Sequence, residues 1–406
     1  MILELERIIN TGACVATADS GKKVFVSGGL PGEKVRVEVF KDRSKFANAR
    51  VLEVLEKSPR RVRDSGDVES NASFSCCDFA YENELKLVLV KDAFALNRIE
   101  YSAVFADNAK VETNGVSEHY RNKYRFYFDQ EEYGFAFIEP LSSVRVPQQD
   151  FILPDERIIE VAQDTLAELE RRAVPPKMLD HLNVRIDNAG NYVLKITPTS
   201  LATAKVKKTL AEMSSAPNAV LVDVINAREF QYGVDSFWQV NQPMFGRALE
   251  YIQPHFKGNV LDLYSGVGAI GLSCFDEACS SLTLVDIDKK NAQYAQNNLE
   301  NCLKLFKTAN IKHLSTNSSR ALEYIEAADL VVLDPPRAGI ETKVVAKLLE
   351  QVPKTICYLS CNPATFARDV KLLLASGHYS VSESHIFNFF PLTAHIECLA
   401  ILEARG

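Results

Sequence analysis

Toward the end of this 406-residue chain, Tyr358-Leu359-Ser360-Cys361-Asn362-Pro363 follows Leu333-Asp334-Pro335-Pro336-Arg337 and precedes His395-Ile396-Glu397. A thiol can add to an electrophilic carbon and a carboxylate can remove a proton, so these residues could carry nucleophilic catalysis with an acid–base step. Two prolines after Asp334 stiffen the turn it stands in, which would hold a planar group in a fixed pose against a second reactant.

Those residues need a frame that brings them to one edge. From about residue 234 apolar strand-like runs alternate with helical ones, the pattern of a parallel α/β sheet covered on both faces. Residues 259–264 read as the first strand, leading through Ser265-Gly266-Val267-Gly268-Ala269-Ile270-Gly271 into a helix. A second strand over 282–285 ends at Asp286, a third over 330–333 at Asp334, and a fourth over 355–359 just before Cys361. In such sheets ligands bind beyond the C-terminal ends of the strands, where all these residues fall.

The three glycines, with an acid 20 residues after the first, also fit a dinucleotide fingerprint, so NAD has to be weighed. Asp262 argues against it: a carboxylate inside the strand before the loop would repel a pyrophosphate and attract a sulfonium or ammonium. The Asp-Pro-Pro turn is a second reason to expect S-adenosylmethionine, since a nicotinamide enzyme has no need of it. Asp286 is placed for ribose hydroxyls. Asn317 is the candidate for the adenine, although Ser318 and Ser319 are equally polar neighbours.

Cys274, Cys279, Cys302 and Cys357 read as small buried hydrophobes, whereas Cys361 falls on an edge loop facing the ligand crevice, where exposure would make it reactive. Carbon 5 of uracil is a weak nucleophile that becomes reactive once a thiolate adds to carbon 6. A proton must afterwards leave carbon 5, and Glu397 is the candidate base, because the run 395–402 is too apolar for a central strand carrying an idle carboxylate.

Composition is that of a globular protein of two or three domains, with 47% hydrophobic and 24% charged residues. No apolar run reaches a membrane span and no secretory signal is recognisable, so a cytoplasmic location and no membrane partner are expected. Nine scattered cysteines suit reduced thiols better than a disulfide framework. The net charge of −7 is uneven, with 13 Lys/Arg against 8 Asp/Glu in residues 1–63. Short alternating runs there, broken by Gly28-Gly29-Leu30-Pro31-Gly32, predict a small β-barrel over residues 1–60. Lys41, Arg43, Lys45 and Arg50, interleaved with Phe40 and Phe46, would suit looped or single-stranded RNA, or simply a solvated strand edge. A polar linker is expected near 64–75, then a mixed α+β domain over 61–233 with helices over 82–98 and 155–172 and a hairpin over 183–196. Residues 234–406 form the last domain.

Taken together, the chain resembles the S-adenosylmethionine-dependent RNA 5-methyluridine methyltransferases, in the branch with an N-terminal TRAM domain. The resemblance rests on Gly29-Leu-Pro-Gly-Glu33, Ser58-Pro-Arg-Arg-Val62, Tyr120-Arg-Asn-Lys123, Phe237-Trp-Gln-Val-Asn241, Cys361-Asn-Pro363 and His395-Ile-Glu397. It implies an OB-like barrel, an α+β central domain and a Rossmann-like class I catalytic domain. It further implies Cys361 as nucleophile, Glu397 as proton acceptor, and Gln239, Tyr264, Gly266, Asp286, Asn317 and Asp334 around the methyl donor. RNA is the implied partner, ribosomal RNA ahead of tRNA, and a monomer is the default. A retained fold that only binds RNA, another base methyltransferase acting on cytosine carbon 5 or an exocyclic amine, and a nicotinamide enzyme are the competing readings. The chain departs from the family where many relatives ligate a [4Fe-4S] cluster. Gly66 or its neighbours replace the first cysteine, only Cys76 and Cys77 remain before Asp78, and 140–155 has none. No iron–sulfur cluster is therefore expected. Ala269 replaces a polar residue frequent in relatives.

Overall fold

The structure is a computed structural model that describes residues 1–64, 72–138, 145–216, 219–306 and 309–405. Most of the expected linker, and Gly66 with it, lies outside the described residues. The N-terminal sheet runs in the order Ile2–Glu4, Lys34–Asp42, Phe46–Glu56, Lys23–Ser27, Cys14–Thr17, Arg7–Ile8. Along Lys34–Asp42 inward Val35 and Val37 alternate with outward Lys34, Arg36 and Glu38, and register shifts along its pairing with Phe46–Glu56 curl the sheet around that core. Of the basic residues expected on one face, Arg50 pairs with Glu38 at 2.6 Å, while Arg43 and Lys45 are exposed on the turn between the two long strands.

The middle sheet has the order Arg145–Gln148, Phe135–Ile138, Lys123–Phe128, Leu179–Ile186, Tyr192–Pro198, all antiparallel. Helix Glu156–Arg171, capped by Asp155, lays Ile158, Ala162, Thr165 and Leu169 against it at helical spacing. Helix Phe79–Leu96, expected in this middle domain, packs instead on helix Pro363–Ala375 through Phe94 and Phe366. Residues Val111–Glu112 extend the C-terminal sheet. The segment 61–233 thus contributes to two layers.

The C-terminal sheet has eight strands, ordered Ile311–Ser315, Cys279–Asp286, Gly258–Leu263, Leu330–Leu333, Thr355–Ser360, Glu397–Ala404, Tyr379–Phe387, Val111–Glu112. Its first five strands are parallel, and Leu330–Leu333 is buried at every position, as a strand covered on both faces must be. Strand Glu397–Ala404 runs antiparallel to both neighbours, so the sheet is mixed where alternation of strands and helices suggested a parallel one. The reversal has a direct consequence. The start of this strand meets the ends of the parallel strands, and because Ser360 pairs with Cys398, Cys361 and Glu397 come to the same edge.

Candidate active site

Each strand of the parallel set delivers one group to that edge. Tyr264, just beyond Gly258–Leu263, has a left-handed φ of 66° and turns the chain into Ser265 and Gly266. The Gly266 N–H donates to Asp286 at 2.9 Å, so the acid closing the second strand braces the glycine loop. Gly268, with φ 87°, has no room for a Cβ, which would lie 2.7 Å from Leu272.

The loop opens on a cleft lined by Phe237, Trp238, Gln239, Phe245, Asp262, Tyr264, Ser265, Gly266, Val267, Ala269, Ile270 and Asp334. Gln239, Tyr264, Gly266 and Asp334 thus meet as the sequence suggested. Asp286 and Asn317 fall at the same edge, Asp286 being paired with Ser315 two residues before Asn317, but do not line the cleft. Asp286 already accepts from the N–H groups of Gly266 and Asp288. Asp262 is fully buried; one carboxylate oxygen accepts from Gly271 N–H at 2.9 Å and the other has no partner among the described residues. Burial, with Asp334 and Asp286 nearby, pushes its carboxyl well above the usual range. Ser265 Oγ is likewise unpartnered.

Beside the cleft, Cys361 follows its strand at the start of helix Pro363–Ala375, whose N-terminus is capped by Asn362. Burial, then Glu397 and Asp334, push the Cys361 thiol up to about 12, with Arg337 opposing. It is half-buried and not self-activated, contrary to the expectation that position alone would make it reactive. Glu397 is 4% exposed, its Oε2 has no partner among the described residues, and burial plus Asp334 raise its carboxyl well above the ordinary value. Asp334 is pushed up to about 7 by burial. Among the described residues Arg337 donates to no carboxylate; its Nη2 lies 3.2 Å from His395 Nε2, and its backbone carbonyl accepts from Asn362 Nδ2 at 2.9 Å. His395 is held neutral, down to about 4, by burial and the Arg337 charge.

Sequence reasoning gave no role to Arg337, although it stands in the Asp-Pro-Pro-Arg run, and none to the aromatic wall Phe237, Trp238 and Phe245. The signal for the wall was the Phe237-to-Asn241 motif itself.

A mixed sheet with a glycine loop, acids ending successive parallel strands and a thiol–carboxylate pair at the next strand ends define a Rossmann-like class I methyltransferase. Residues 220–405 match the tRNA (Uracil-5-)-methyltransferase family model and residues 2–52 the TRAM domain model. Over its whole length the chain is 26% identical to an RNA methyltransferase of Treponema denticola, covering 98% of each chain. It is equally 26% identical to the 23S rRNA (uracil(1939)-C(5))-methyltransferase of Shewanella halifaxensis, covering 100% of this chain and 96% of that one. Its fold superposes on that of Pyrococcus abyssi tRNA (uracil-54, C5)-methyltransferase in complex with S-adenosyl-L-homocysteine with a TM-score of 0.72 at 19% identity, covering 98% and 99% of the two chains. The C-terminal part of the chain, residues 220–405, thus groups with the RNA (uracil-C5) methyltransferases, and a TRAM domain precedes it. Among the described residues no helix is long and apolar enough to cross a membrane, and no three His, Cys, Asp or Glu side chains are grouped to hold a metal.

Proposed function

We propose that the protein methylates carbon 5 of a uridine in 23S-type ribosomal RNA through a covalent bond between Cys361 and carbon 6, with S-adenosylmethionine as donor. The observation that carries this reading is the gathering of Cys361, Glu397 and Asp334, in which Glu397 and Asp334 raise the Cys361 thiol and Asp334 raises the Glu397 carboxyl, beside a cleft with an unpartnered buried carboxylate. The cleft fits the donor. The free oxygen of Asp262 suits a cation, Gln239 and Ser265 offer polar contacts, and Phe237, Trp238 and Phe245 offer an apolar wall. When bound, S-adenosylmethionine supplies an electrophilic methyl group.

The chain's own residues do the rest. Cys361 gives its proton to the Asp334 carboxylate and adds to carbon 6, and the electron pair of the C5–C6 double bond moves to carbon 5 as an enolate. After carbon 5 is methylated, Glu397 takes the remaining proton there, the double bond reforms and the Cys361 sulfur leaves. Arg337 favours both anions. Asp286 acts through the Gly266 loop or on the ribose, and Asn317 on the adenine.

The ribosomal choice is supported by the TRAM domain and by the full-length similarity to a 23S rRNA enzyme. We place the protein in the cytoplasm, as a monomer. The test is incubation with methyl-tritiated S-adenosylmethionine and separate unmodified 23S rRNA and tRNA transcripts, with wild type and Cys361→Ala, followed by nucleoside mass analysis. 5-Methyluridine in the ribosomal pool, lost in Cys361→Ala, is expected. Label in the tRNA pool alone would move the substrate to tRNA, and donor binding without transfer to either would leave a binding factor.

A further inference from the structure

One wall of the donor cleft is made by residues 237–239, in a stretch without helix or strand between Arg228–Tyr232 and Gln242–Ile252. Such a stretch has no ladder of its own to fix where Trp238 and Gln239 point. Its carbonyls go to another layer. Arg185, on strand Leu179–Ile186 of the middle sheet and 1% exposed, donates to the carbonyls of Gly233 at 3.0 Å, Ser236 at 2.8 Å and Trp238 at 3.1 Å. Asn122, just before the neighbouring strand, donates its side-chain N–H to the Gln239 carbonyl at 3.1 Å and its backbone N–H to Val240 at 3.2 Å. The ring of Trp238 is fixed as well. It stacks on Tyr232 at 4.8 Å with an interplanar angle of 13°, Arg185 covers the other ring at 5.2 Å, and Asp223 accepts from the indole N–H at 3.0 Å.

We propose that Arg185 and Asn122 are positioning residues for the methyl-donor site: the middle domain sets the wall formed by Trp238 and Gln239. The inference rests on the reading of the cleft as the S-adenosylmethionine site. A guanidinium that spans three carbonyls fixes their relative positions, which a lysine cannot do with one ammonium. Burying a cation on carbonyls, with Asp223 and Asp235 too far to neutralise it by contact, costs enough that the guanidinium is pulled down to about 10. A segment needed only for packing could have been held by apolar side chains instead.

Trp238 is the chain's single tryptophan, so its fluorescence reports this wall directly. Full-length wild type, Arg185→Lys and Asn122→Ala would be titrated with S-adenosylhomocysteine, reading Trp238 emission. Steady-state KM for S-adenosylmethionine and kcat on the RNA pool found active, and thermal midpoints, complete the set. The expected result is a weaker S-adenosylhomocysteine affinity, about tenfold in Arg185→Lys and about threefold in Asn122→Ala, with a matching rise in KM and kcat within about twofold. A purely structural role would lower the midpoint and the active fraction, hence apparent kcat, and leave affinity and KM unchanged; that result overturns the proposal. Asn122→Ala, a milder change, decides alone if Arg185→Lys does not fold. Wild type that binds no S-adenosylhomocysteine would overturn both this inference and the donor-site reading, whereas wild-type binding with unchanged variants overturns the inference alone.

Discussion

Arg337 is the cation that lowers the Cys361 thiol and the Glu397 carboxyl, and it does so from an exposed position. Replacing it with Met removes the charge while keeping most of the stem. With the thiol at about 12, only about one molecule in ten thousand carries the Cys361 thiolate at pH 8, so the rate of alkylation tracks the thiolate fraction directly. An exposed charge is screened, and its effect is discounted to about one pKa unit, or ~1.4 kcal/mol. Alkylation of Cys361 by iodoacetamide, followed by peptide mass spectrometry, should therefore slow about tenfold in Arg337→Met at pH 8, because each unit of pKa is a tenfold change in thiolate. Raising the pH from 8 to 9 should restore the wild-type pH 8 rate, because far below the pKa each pH unit is worth the same factor. Buried Cys357 and Cys398, whose thiols burial raises well above the usual value, serve as internal controls. Equal rates in the two proteins, or a loss that higher pH does not recover, would refute the electrostatic role of Arg337.

Glu397→Gln keeps the shape of the site and removes the base, so turnover should fall by about 10²–10⁴ while a covalent protein–RNA species accumulates on denaturing gels; a loss of turnover without that species would mean that Glu397 acts before the methyl step. Asp334 binds a proton in the native state up to about 7 against an ordinary 3.8. Its contribution to stability is therefore full below the lower value and is lost as pH rises through the upper one. Asp334→Asn should gain on wild type in urea midpoint between pH 4 and pH 8, and a constant difference would contradict the shift. Glu33 receives Arg61 through two 2.7 Å contacts with both side chains buried, tying the barrel to the following segment, so Glu33→Gln should cost about 3–5 kcal/mol in urea unfolding. Cys76 and Cys77 are buried, with Cys77 Sγ donating to the Phe74 carbonyl at 3.2 Å and both thiols raised by burial. Protein purified without oxygen should show no charge-transfer absorbance near 400 nm and no iron by elemental analysis; stoichiometric iron would show that these thiols are ligands after all.

The sequence by itself determined the elements and the chemistry they carry. Period-two alternation in residues 34–39, the apolar run before Asp334, the glycines after Tyr264 and the helical spacing from Ile158 to Leu169 are local signals, and local sterics and burial suffice to read them. The residue types at Cys361, Glu397 and Asp334 likewise named their possible tasks. Tertiary structure decided how they meet. The reversal of strand Glu397–Ala404 was invisible to periodicity, since an antiparallel and a parallel strand alternate alike, yet it is what sets Glu397 beside Cys361. The state of the thiol depends on burial and on charges from two other segments, so no reading of position along the chain could assign it. The docking of helix Phe79–Leu96 on the catalytic layer, and the grip of Arg185 on the wall of the donor cleft, are contacts between residues far apart in sequence. Their energy comes from surfaces and carbonyls that exist only once the layers have packed.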